Sequence, residues 1–226
     1  MAPAAQRARR AGFVSPSAIM TGRFIAFEGG EGAGKSTQAR LLAEALRGRG
    51  LEVVVTREPG GTPGAEAIRA LLLDPAGDGF APRAEALLFA AARSDHVERL
   101  IRPALERGAW VVCDRYLDSS RAYQGGGSGL PDAELLELHR IGSLNLLPDL
   151  AVLIEVSPEE AARRVARRDG DEADRIGGRP AQYHARVGAA FRRLAEAEPA
   201  RFAVIDGNGP REATQAAILA AVERLA

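Results

Sequence analysis

The sequence predicts one α/β domain with a five-stranded parallel sheet and helices on both of its faces. Five short apolar runs have the length and composition of buried strands, and each is followed by a segment in which apolar residues recur at helical spacing. Strands that alternate with helices, and that are apolar throughout, are typical of a parallel sheet covered on both faces. The chain has 226 residues, 46% of them hydrophobic, which is enough for one sizeable core.

The expected elements follow each other in a regular order. We expect strands at residues 24–27, 51–55, 109–113, 150–154 and 202–205. We expect helices at residues 34–47, 63–73, 82–107 and 131–142, two more between residues 158 and 197, and a last one at 211–225. The glycine-rich residues 124–127 are expected to form a loop. Because ligands of such sheets bind at the carboxyl ends of the strands, polar residues there are candidates for a site.

Residues 1–22 differ from the rest of the chain. They contain three arginines, no acidic residue, and several alanine, proline and serine residues. A transit peptide can have this composition. Patterned structure begins only at Arg23, so we expect a disordered extension or a start assigned too early, with Met20 as the initiator. The expected folded domain is residues 23–226.

A glycine-rich segment between the first strand and the first helix carries the clearest motif. Residues 29–36 read Gly-Gly-Glu-Gly-Ala-Gly-Lys-Ser and match the P-loop pattern G-x-x-x-x-G-K-[ST] in full. In this context main-chain N–H groups and the helix N-terminus surround phosphate oxygens. An ordinary glycine loop is the alternative. The motif predicts ATP binding by Gly29, Gly30, Glu31, Gly32, Ala33, Gly34, Lys35, Ser36 and Thr37.

Lys35 is the only lysine among 30 basic residues, and the other 29 are arginines. A high-GC genome would explain arginine on the surface, but it leaves open why one position stayed lysine. Lysine carries a compact ammonium on a flexible stem, whereas arginine carries a wide planar fork. We therefore expect Lys35 to bridge the β- and γ-phosphates and to act in catalysis.

Ser36 and Asp114 are candidate ligands of Mg²⁺. The P-loop serine is the usual hydroxyl ligand of the ion. Asp114 follows the apolar run of the third strand, where a Walker-B carboxylate reaches Mg²⁺, often through water. A strand-end aspartate that caps the next turn is the alternative for Asp114 considered alone.

Further segments, taken together, resemble those of thymidylate kinases. They read TREPGGT at residues 56–62, LFAAAR at 88–93, DRY at 114–116, AYQGGG at 122–127 and DRI at 174–176. The resemblance runs from about residue 23 to the C-terminus. It implies a P-loop NTPase fold of the nucleoside monophosphate kinase type, with a short lid at about residues 167–180. It also implies an ATP- and Mg²⁺-dependent kinase that converts dTMP to dTDP for dTTP synthesis.

Two arginines are candidates for binding the phosphate of the acceptor. Arg57 and Arg115 follow different strands and can clamp a dianionic phosphate with charge-assisted, bidentate hydrogen bonds. Surface solvation is the alternative in a chain with 29 arginines. The resemblance implies that both arginines bind the phosphate and that Glu31 approaches the 3′-hydroxyl of the acceptor.

Phe89 and Arg93 are candidates for binding the base. They lie four residues apart on a predicted helix and therefore share a face. Phe89 can stack on a pyrimidine ring and Arg93 can donate to its carbonyl edge, with core packing as the alternative for Phe89. The resemblance adds Ser120, Tyr123 and Gln124 to this pocket. An apolar pocket discriminates a methyl group only modestly, so a preference for dTMP over dUMP is implied by the resemblance alone.

The lid is expected to supply a catalytic arginine. The P-loop contains no arginine, and in this the chain resembles bacterial thymidylate kinases, whose lid provides one. We expect Arg167 or Arg168 to reach the transferred phosphoryl group, and a solvated basic helix face is the alternative. Gly177 stands where the family pattern has an acidic residue, which is a departure from the common lid.

Cysteine and histidine do not indicate a further chemical site. Cys113 is the only cysteine, so no intramolecular disulfide is possible, and its apolar neighbours predict a buried strand. The three histidines do not follow metal-ligand spacing. His96 lies on the helix of the predicted base pocket, and we expect it to be a partly buried polar residue.

Composition argues against several other classes of protein. Formal net charge is zero, so nucleic-acid and membrane-surface binding are not expected. A GTPase would carry an Asn-Lys-x-Asp motif, for which the chain has no second lysine. A kinase for another nucleotide or nucleoside acceptor, and a non-catalytic ATP-binding regulator, are the alternatives that stay open. We expect a cytoplasmic enzyme, and the resemblance implies a homodimer, with the helix at residues 82–107 as a candidate interface.

Overall fold

A computed structural model describes residues 22–77, 79–169 and 175–225, except for the side chains of residues 168 and 169. The five strands are β1 (Phe24–Glu28), β2 (Val53–Arg57), β3 (Trp110–Asp114), β4 (Leu150–Glu155) and β5 (Phe202–Asp206). They form one sheet in the order β2-β3-β1-β4-β5, and all neighbouring strands are parallel. The predicted α/β class with a five-stranded parallel sheet is confirmed.

Of the expected N-terminal extension, residues 1–22, only Gly22 belongs to the described residues. The N–H of Gly22 donates to the carbonyl oxygen of Leu105 at 3.1 Å, immediately before β1.

Helices connect the strands in the expected alternation. They are α1 (Lys35–Gly48), α2 (Pro63–Leu73), α3 (Pro82–His96), α4 (Arg102–Glu106), α5 (Leu117–Ser120), α6 (Asp132–Ser143), α7 (Pro158–Asp169), α8 (Ala181–Ala197) and α9 (Arg211–Val222). A 3₁₀ turn, Glu223–Leu225, follows α9. The helix expected at residues 82–107 is α3 and α4 joined by a π-helical turn, Val97–Ile101.

The predicted second strand is displaced by two residues from the observed one. The apolar run ends at Val55, but β2 continues to Arg57 because Arg57 is still paired with Asp114 across the ladder. Parallel pairing uses main-chain groups, so it does not stop where the side chains become polar. The extension places Arg57 at the same edge of the sheet as the end of β3.

The sheet separates two apolar layers. Ile25 and Phe27 of β1 pack with Leu42 and Leu46 of α1 on one face. Phe24 and Ala26 point to the other face, where they pack against apolar residues of the π-helical turn and α4. Since both faces are covered, every residue of β1 is buried, which explains why the strand is apolar up to Phe27.

The glycine-rich residues 124–127 do not form the expected loop. They belong to a second π-helical turn, Arg121–Gly127, which follows α5 and packs against α8. A Cβ on Gly126 would lie 2.3 Å from that of Ala190, and one on Gly127 would lie 2.5 Å from the ring of Tyr183. These glycines therefore allow two helical segments to approach closely. In a single sequence, glycines that permit close packing look the same as glycines of a flexible loop.

Among the described residues, no helix combines the length and the apolar character that a membrane span requires. Because the sheet is parallel, the connections after β1, β2 and β3 all lie at one edge. The polar residues that the sequence singles out as candidates for a site meet at this edge.

Candidate active site

The carboxyl-terminal edge of the sheet holds a cavity of about 240 Å³. It is surrounded by the connections after β1, β2 and β3, by α3, and by α5 with the π-helical turn that follows it. The predicted acceptor-binding residues, the predicted catalytic lysine and both predicted metal ligands line it: Glu31, Lys35, Ser36, Arg57, Phe89, Arg93, Asp114, Arg115, Ser120, Tyr123 and Gln124. The structure thus brings together residues that are distant in the sequence.

The P-loop is the connection between β1 and α1. Gly29, Gly32 and Gly34 have φ angles of 137°, 71° and 90°, which residues with a side chain rarely adopt. Gly32 also lies against α7, because a Cβ there would be 2.5 Å from the carbonyl oxygen of Ala161. Since α1 begins at Lys35, its first N–H groups face this connection. The backbone has the form of an anion cradle.

Lys35 is buried at the start of α1. Its Nζ donates to the carbonyl oxygen of Gly30 at 2.7 Å, which holds the side chain over the P-loop. Burial and the positive charge of Arg115 lower the pKa of Lys35 to about 8. The ammonium of Lys35 has lost contact with water, which destabilises its charge, and a phosphate in the cradle would stabilise it.

Ser36 and Asp114 meet across the P-loop, and their geometry suits Mg²⁺. The Ser36 hydroxyl donates to Oδ2 of Asp114. Oδ1 of Asp114 is buried and has no hydrogen-bond partner among the described residues. A buried carboxylate oxygen without a partner is expensive, and one hydroxyl with one carboxylate is the ligand set that Mg²⁺ accepts beside phosphate and water. The residues present fit the predicted ion.

Arg115 connects the P-loop with the acceptor part of the cavity. Its φ of 71° lies in the left-handed region and turns the chain sharply after β3. Its guanidinium donates to the carbonyl oxygen of Gly29 at 3.0 Å, to Glu31 at 2.5 Å and to the Tyr123 hydroxyl at 3.1 Å. Glu31 and Arg115, both predicted to contact the acceptor, are thus already paired.

Arg57 lies at the rim of the cavity, at the end of β2. Its Nη2 donates to both carboxylate oxygens of Glu66, at 3.0 and 3.1 Å, while the side chain stays half exposed. Glu66 also accepts a hydrogen bond from the N–H of Gly61. This main-chain hydrogen bond and the charge of Arg57 lower the pKa of Glu66. An exposed pair of this kind contributes little stability, so exchanging Glu66 for a phosphate is inexpensive.

Arg93 is buried and firmly held below the cavity. Its Nε donates to Glu58 at 2.7 Å, and its Nη2 donates to Ser120 at 2.8 Å and to the carbonyl oxygen of Tyr116 at 3.2 Å. Phe89, one helical turn earlier, lines the same cavity and also packs against an apolar cluster that includes Ile176. The predicted common face of Phe89 and Arg93 is observed.

Gln124 and Tyr123 form the opposite wall. The amide of Gln124 donates to Oε1 of the buried Glu85 at 3.0 Å, and the hydroxyl of Tyr123 donates to Glu31 at 3.1 Å. The wall is therefore held by hydrogen bonds to α3 on one side and to the P-loop on the other.

Comparison with known proteins identifies the family. The family model for thymidylate kinase matches residues 27–218. The thymidylate kinase of Rhizorhabdus wittichii is 56% identical over 207 residues, which cover 91% of this chain and 100% of that protein. The chain belongs to the thymidylate kinase family.

Two further relatives agree with this family. The thymidylate kinase of Chromohalobacter salexigens is 51% identical, and the aligned part covers 91% of this chain and 97% of that protein. The crystal structure of thymidylate kinase from Ehrlichia chaffeensis superimposes with a TM-score of 0.72 at 31% identity, over 91% of this chain and 99% of that one. The resemblance inferred from the motifs is confirmed, and so is the predicted P-loop kinase fold.

The arginines of α7 in this thymidylate kinase family member differ in their surroundings. Arg164 donates to the carbonyl oxygens of Gly207 at 2.7 Å and Ala33 at 3.4 Å, which ties α7 to the P-loop. Arg167 is exposed. The side chain of Arg168 lies outside the described residues, as do residues 170–174 of the expected lid.

After these residues, the lid segment returns to the cavity. Arg175 donates twice to the carbonyl oxygen of Leu72, at 3.0 and 2.6 Å. Ile176 is buried and lines the cavity.

Two buried glutamates at or beside the cavity were not found from the sequence. Glu58 pairs with Arg93, and Glu85 pairs with Gln124 and Arg179. Isolated glutamates are usually exposed, and no spacing in the sequence shows that these two have distant partners. Glu28, the buried glutamate at the end of β1, accepts hydrogen bonds from the N–H of Tyr116 and the hydroxyl of Ser119.

Glu28 is the glutamate most affected by its surroundings. Burial, together with the negative charge of Asp118, raises its pKa to about 8.

His96 and Cys113 do not form a metal site with acidic neighbours. No group of three or more histidine, cysteine and acidic side chains within metal-binding distance occurs in the described part of the chain. Cys113 is buried in β3 as expected. The expectation that His96 is only partly buried is wrong: it is fully buried, and both of its ring nitrogens bond to side chains of the strand β2 and the turn after it.

Proposed function

We propose that this chain carries out the thymidylate kinase reaction, in which the γ-phosphate of ATP is transferred to dTMP to give ADP and dTDP, with residues of one continuous cavity. The observation that carries the proposal is the lining of that cavity. Lys35 and Ser36 of the P-loop line it together with Phe89 and Arg93. Two nucleotides can therefore lie with their phosphates facing each other.

The donor side binds the phosphates of ATP. The main chain of residues 29–37 and the N-terminus of α1 surround the phosphates, and Lys35 contacts the β- and γ-phosphate oxygens. Mg²⁺ bound with ATP neutralises phosphate charge, and Ser36 and Asp114 would hold it. The side chains thus stabilise charge that spreads over the oxygens of the transferred group.

The acceptor side positions dTMP for attack. Arg57 exchanges Glu66 for the acceptor phosphate, and Arg115 binds the same group beside Glu31. Phe89 stacks on the thymine, and Arg93 donates to a carbonyl of the base. A phosphate oxygen is already deprotonated, so the reaction needs no general base, and positioning is the main contribution of the protein. Arg167 or Arg168 of the lid reaches the transferred group and completes the charge stabilisation.

We propose further that the chain acts as a homodimer in the cytoplasm. Leu87 of α3 and Ile141 of α6 are 56% and 62% exposed, on two helices that pack together. Exposed apolar side chains on adjacent helices favour association. A single buried cysteine suits a reducing compartment. Sedimentation analysis of the wild type and of Ile141→Arg tests the dimer, and a wild-type monomer would refute it.

An acceptor panel tests the reaction. ADP release is measured with dTMP, dUMP, dCMP and thymidine at equal concentrations. We expect dTMP to be the best acceptor. We expect dUMP to react with a kcat/KM lower by about 10- to 200-fold, which is the modest discrimination that one methyl group gives in an apolar pocket. Thymidine lacks the phosphate that Arg57 and Arg115 bind, so it should fail. ATP binding without transfer to any acceptor would support the regulator instead.

A further inference from the structure

Four buried polar side chains form a hydrogen-bonded chain that ends at the acceptor cavity. The bonds join Thr56 Oγ1 to His96 Nε2 at 2.7 Å, His96 Nδ1 to Glu58 Oε1 at 3.1 Å, and Arg93 Nε to Glu58 Oε2 at 2.7 Å. The exposed fractions of Thr56, His96, Glu58 and Arg93 are 8%, 0%, 5% and 4%. We call these four residues the buried polar chain.

The directions of these bonds follow from the chemistry of the groups. The carboxylate of Glu58 only accepts, so Nδ1 of His96 is the donor in that bond, and Nε2 then accepts from the Thr56 hydroxyl whenever the ring carries a single proton. Each oxygen of Glu58 then has one donor. In a buried network, a carboxylate that lost one of these donors would have to turn or stay unsatisfied, which is costly.

Arg93 is the end of the chain that faces the cavity. Its Nε is taken by Glu58, and its Nη2 is taken by Ser120 and Tyr116. No hydrogen bond of Nη1 to another described residue occurs, and Arg93 lines the cavity. Because the guanidinium is planar, fixing Nε and Nη2 also fixes the direction in which Nη1 donates.

The helix geometry explains why His96 is suited to this role. His96 lies three residues after Arg93 on α3, so both side chains leave the same face of the helix and reach the same carboxylate. The π-helical turn Val97–Ile101 begins directly after His96. The histidine is thus tied to β2 by Thr56 and to the turn after β2 by Glu58.

We propose that His96 is a positioning residue for the base of the acceptor: it fixes Glu58, and Glu58 holds the guanidinium of Arg93 in the plane that presents Nη1 to a pyrimidine carbonyl. The inference rests on the proposed role of Arg93 in binding dTMP. A fixed donor loses little freedom on binding, so weakening the chain should raise the KM for dTMP and leave the KM for ATP unchanged.

Two substitutions of His96 separate this role from a merely structural one. In His96→Asn the amide nitrogen stands near the position of Nδ1 and can still donate to Glu58. In His96→Gln it stands near the position of Nε2 and reaches Thr56 instead. We expect H96Q to raise the KM for dTMP by about tenfold, since a buried carboxylate loses a donor. We expect H96N to stay within about threefold of the wild type.

The control is a second buried histidine outside the chain. His139 is 3% exposed and packs edge-on against Tyr116, with a centroid distance of 5.8 Å. His139→Gln should lower the melting temperature without changing the KM for dTMP. Equal KM increases in H96Q and H96N, or a parallel increase in the KM for ATP, would overturn the proposal.

The design keeps the two levels of inference apart. A folded wild type that does not phosphorylate dTMP refutes the proposed function. An active wild type with an unchanged KM for dTMP in H96Q refutes only the positioning role.

If H96Q does not fold, Thr56→Val replaces it, because it removes only the hydroxyl that orients the ring. T56V should raise the KM for dTMP about threefold with the KM for ATP unchanged, and no increase would overturn the proposal.

Discussion

The proposed donor and acceptor sides of the cavity are built in opposite ways. The donor side is mainly one uninterrupted segment, residues 29–37, whose main chain forms the cradle, and Asp114 joins it from the end of β3. The acceptor side is assembled from the end of β2, from α3 and from the residues after β3. A cradle of main-chain amides depends mainly on local backbone geometry, whereas a pocket of charged side chains needs partners from elsewhere in the chain.

The two sides also hold their charges differently. Nζ of Lys35 donates to a main-chain oxygen, and burial lowers the pKa of Lys35. Arg93 is equally buried, but it donates to the carboxylate of Glu58. Burial opposes the charge of Arg93, yet the Glu58 carboxylate raises its pKa above the ordinary value. The charge of a ligand would therefore stabilise Lys35 on the donor side, while Arg93 on the acceptor side is already held by a carboxylate.

The largest effect should come from the donor side. Lys35→Ala removes the only ammonium of the cradle, and we expect kcat to fall by about 10³-fold with the fold retained, because a charge donor to the transition state is lost. Lys35→Arg keeps the charge but not its compact form, and it should be nearly as inactive. Steady-state kinetics with circular dichroism checks both. A fully active K35R would show that the cradle does not need a point charge.

A smaller effect is expected where the two sides meet. Arg115→Lys keeps a cation but loses the planar fork that can donate to Glu31 and bind the acceptor phosphate in bidentate fashion, so kcat/KM for dTMP should fall by about 10²-fold. Arg57→Lys, at the exposed rim, should cost about tenfold. Kinetics at varied dTMP concentration measure both losses. A larger loss in R57K than in R115K would reverse the order that burial suggests.

The lid provides a third test of the comparison. Arg167→Ala or Arg168→Ala should lower kcat about tenfold while the KM for dTMP stays constant, since a lid arginine acts on the transferred group. Arg164→Ala is the matched variant: it loses hydrogen bonds to Ala33 and Gly207, and we expect mainly a lower melting temperature. A larger fall of kcat in R164A than in either other variant would assign the catalytic role to Arg164.

The smallest effect concerns pH. The pKa of Lys35 is about 8 without nucleotide, and anionic phosphates raise it on binding. Above pH 8 the free protein has lost the proton that the complex needs, so the KM for ATP should rise, by about fourfold at pH 8.5. Calorimetry in buffers of different ionisation enthalpy should detect proton uptake on ATP binding. A KM for ATP that is constant from pH 7 to 9 would contradict the lowered pKa.

Part of the lining of the cavity could be predicted because its signals are local. The P-loop pattern and the lone Lys35 lie in one segment, and Asp114 directly follows an apolar strand. Phe89 and Arg93 share a helix face by spacing alone. For Arg57, Arg115, Ser120, Tyr123 and Gln124 the family resemblance supplied roles that the residues by themselves left open.

Other features could not be predicted because they depend on distant partners. Glu58 and Glu85 look like surface residues in the sequence, and only the packing of α3 shows what they bond. His96 was expected to be partly buried, although it is fully buried and bonds to Thr56 and Glu58. The glycine-rich residues 124–127 were expected to form a loop, although Gly126 and Gly127 allow close contact with α8.

The sequence alone determined the alternation of strands and helices, the phosphate cradle and the family, because each rests on periodicity or on residues adjacent in the chain. Tertiary structure decided how charges are paired inside the acceptor side, where β2 ends, and which glycines permit packing. The physical reason is that a buried charge requires a partner, and the fold can supply that partner from any part of the chain. The partner of Arg93, Glu58, lies 35 residues away in the sequence.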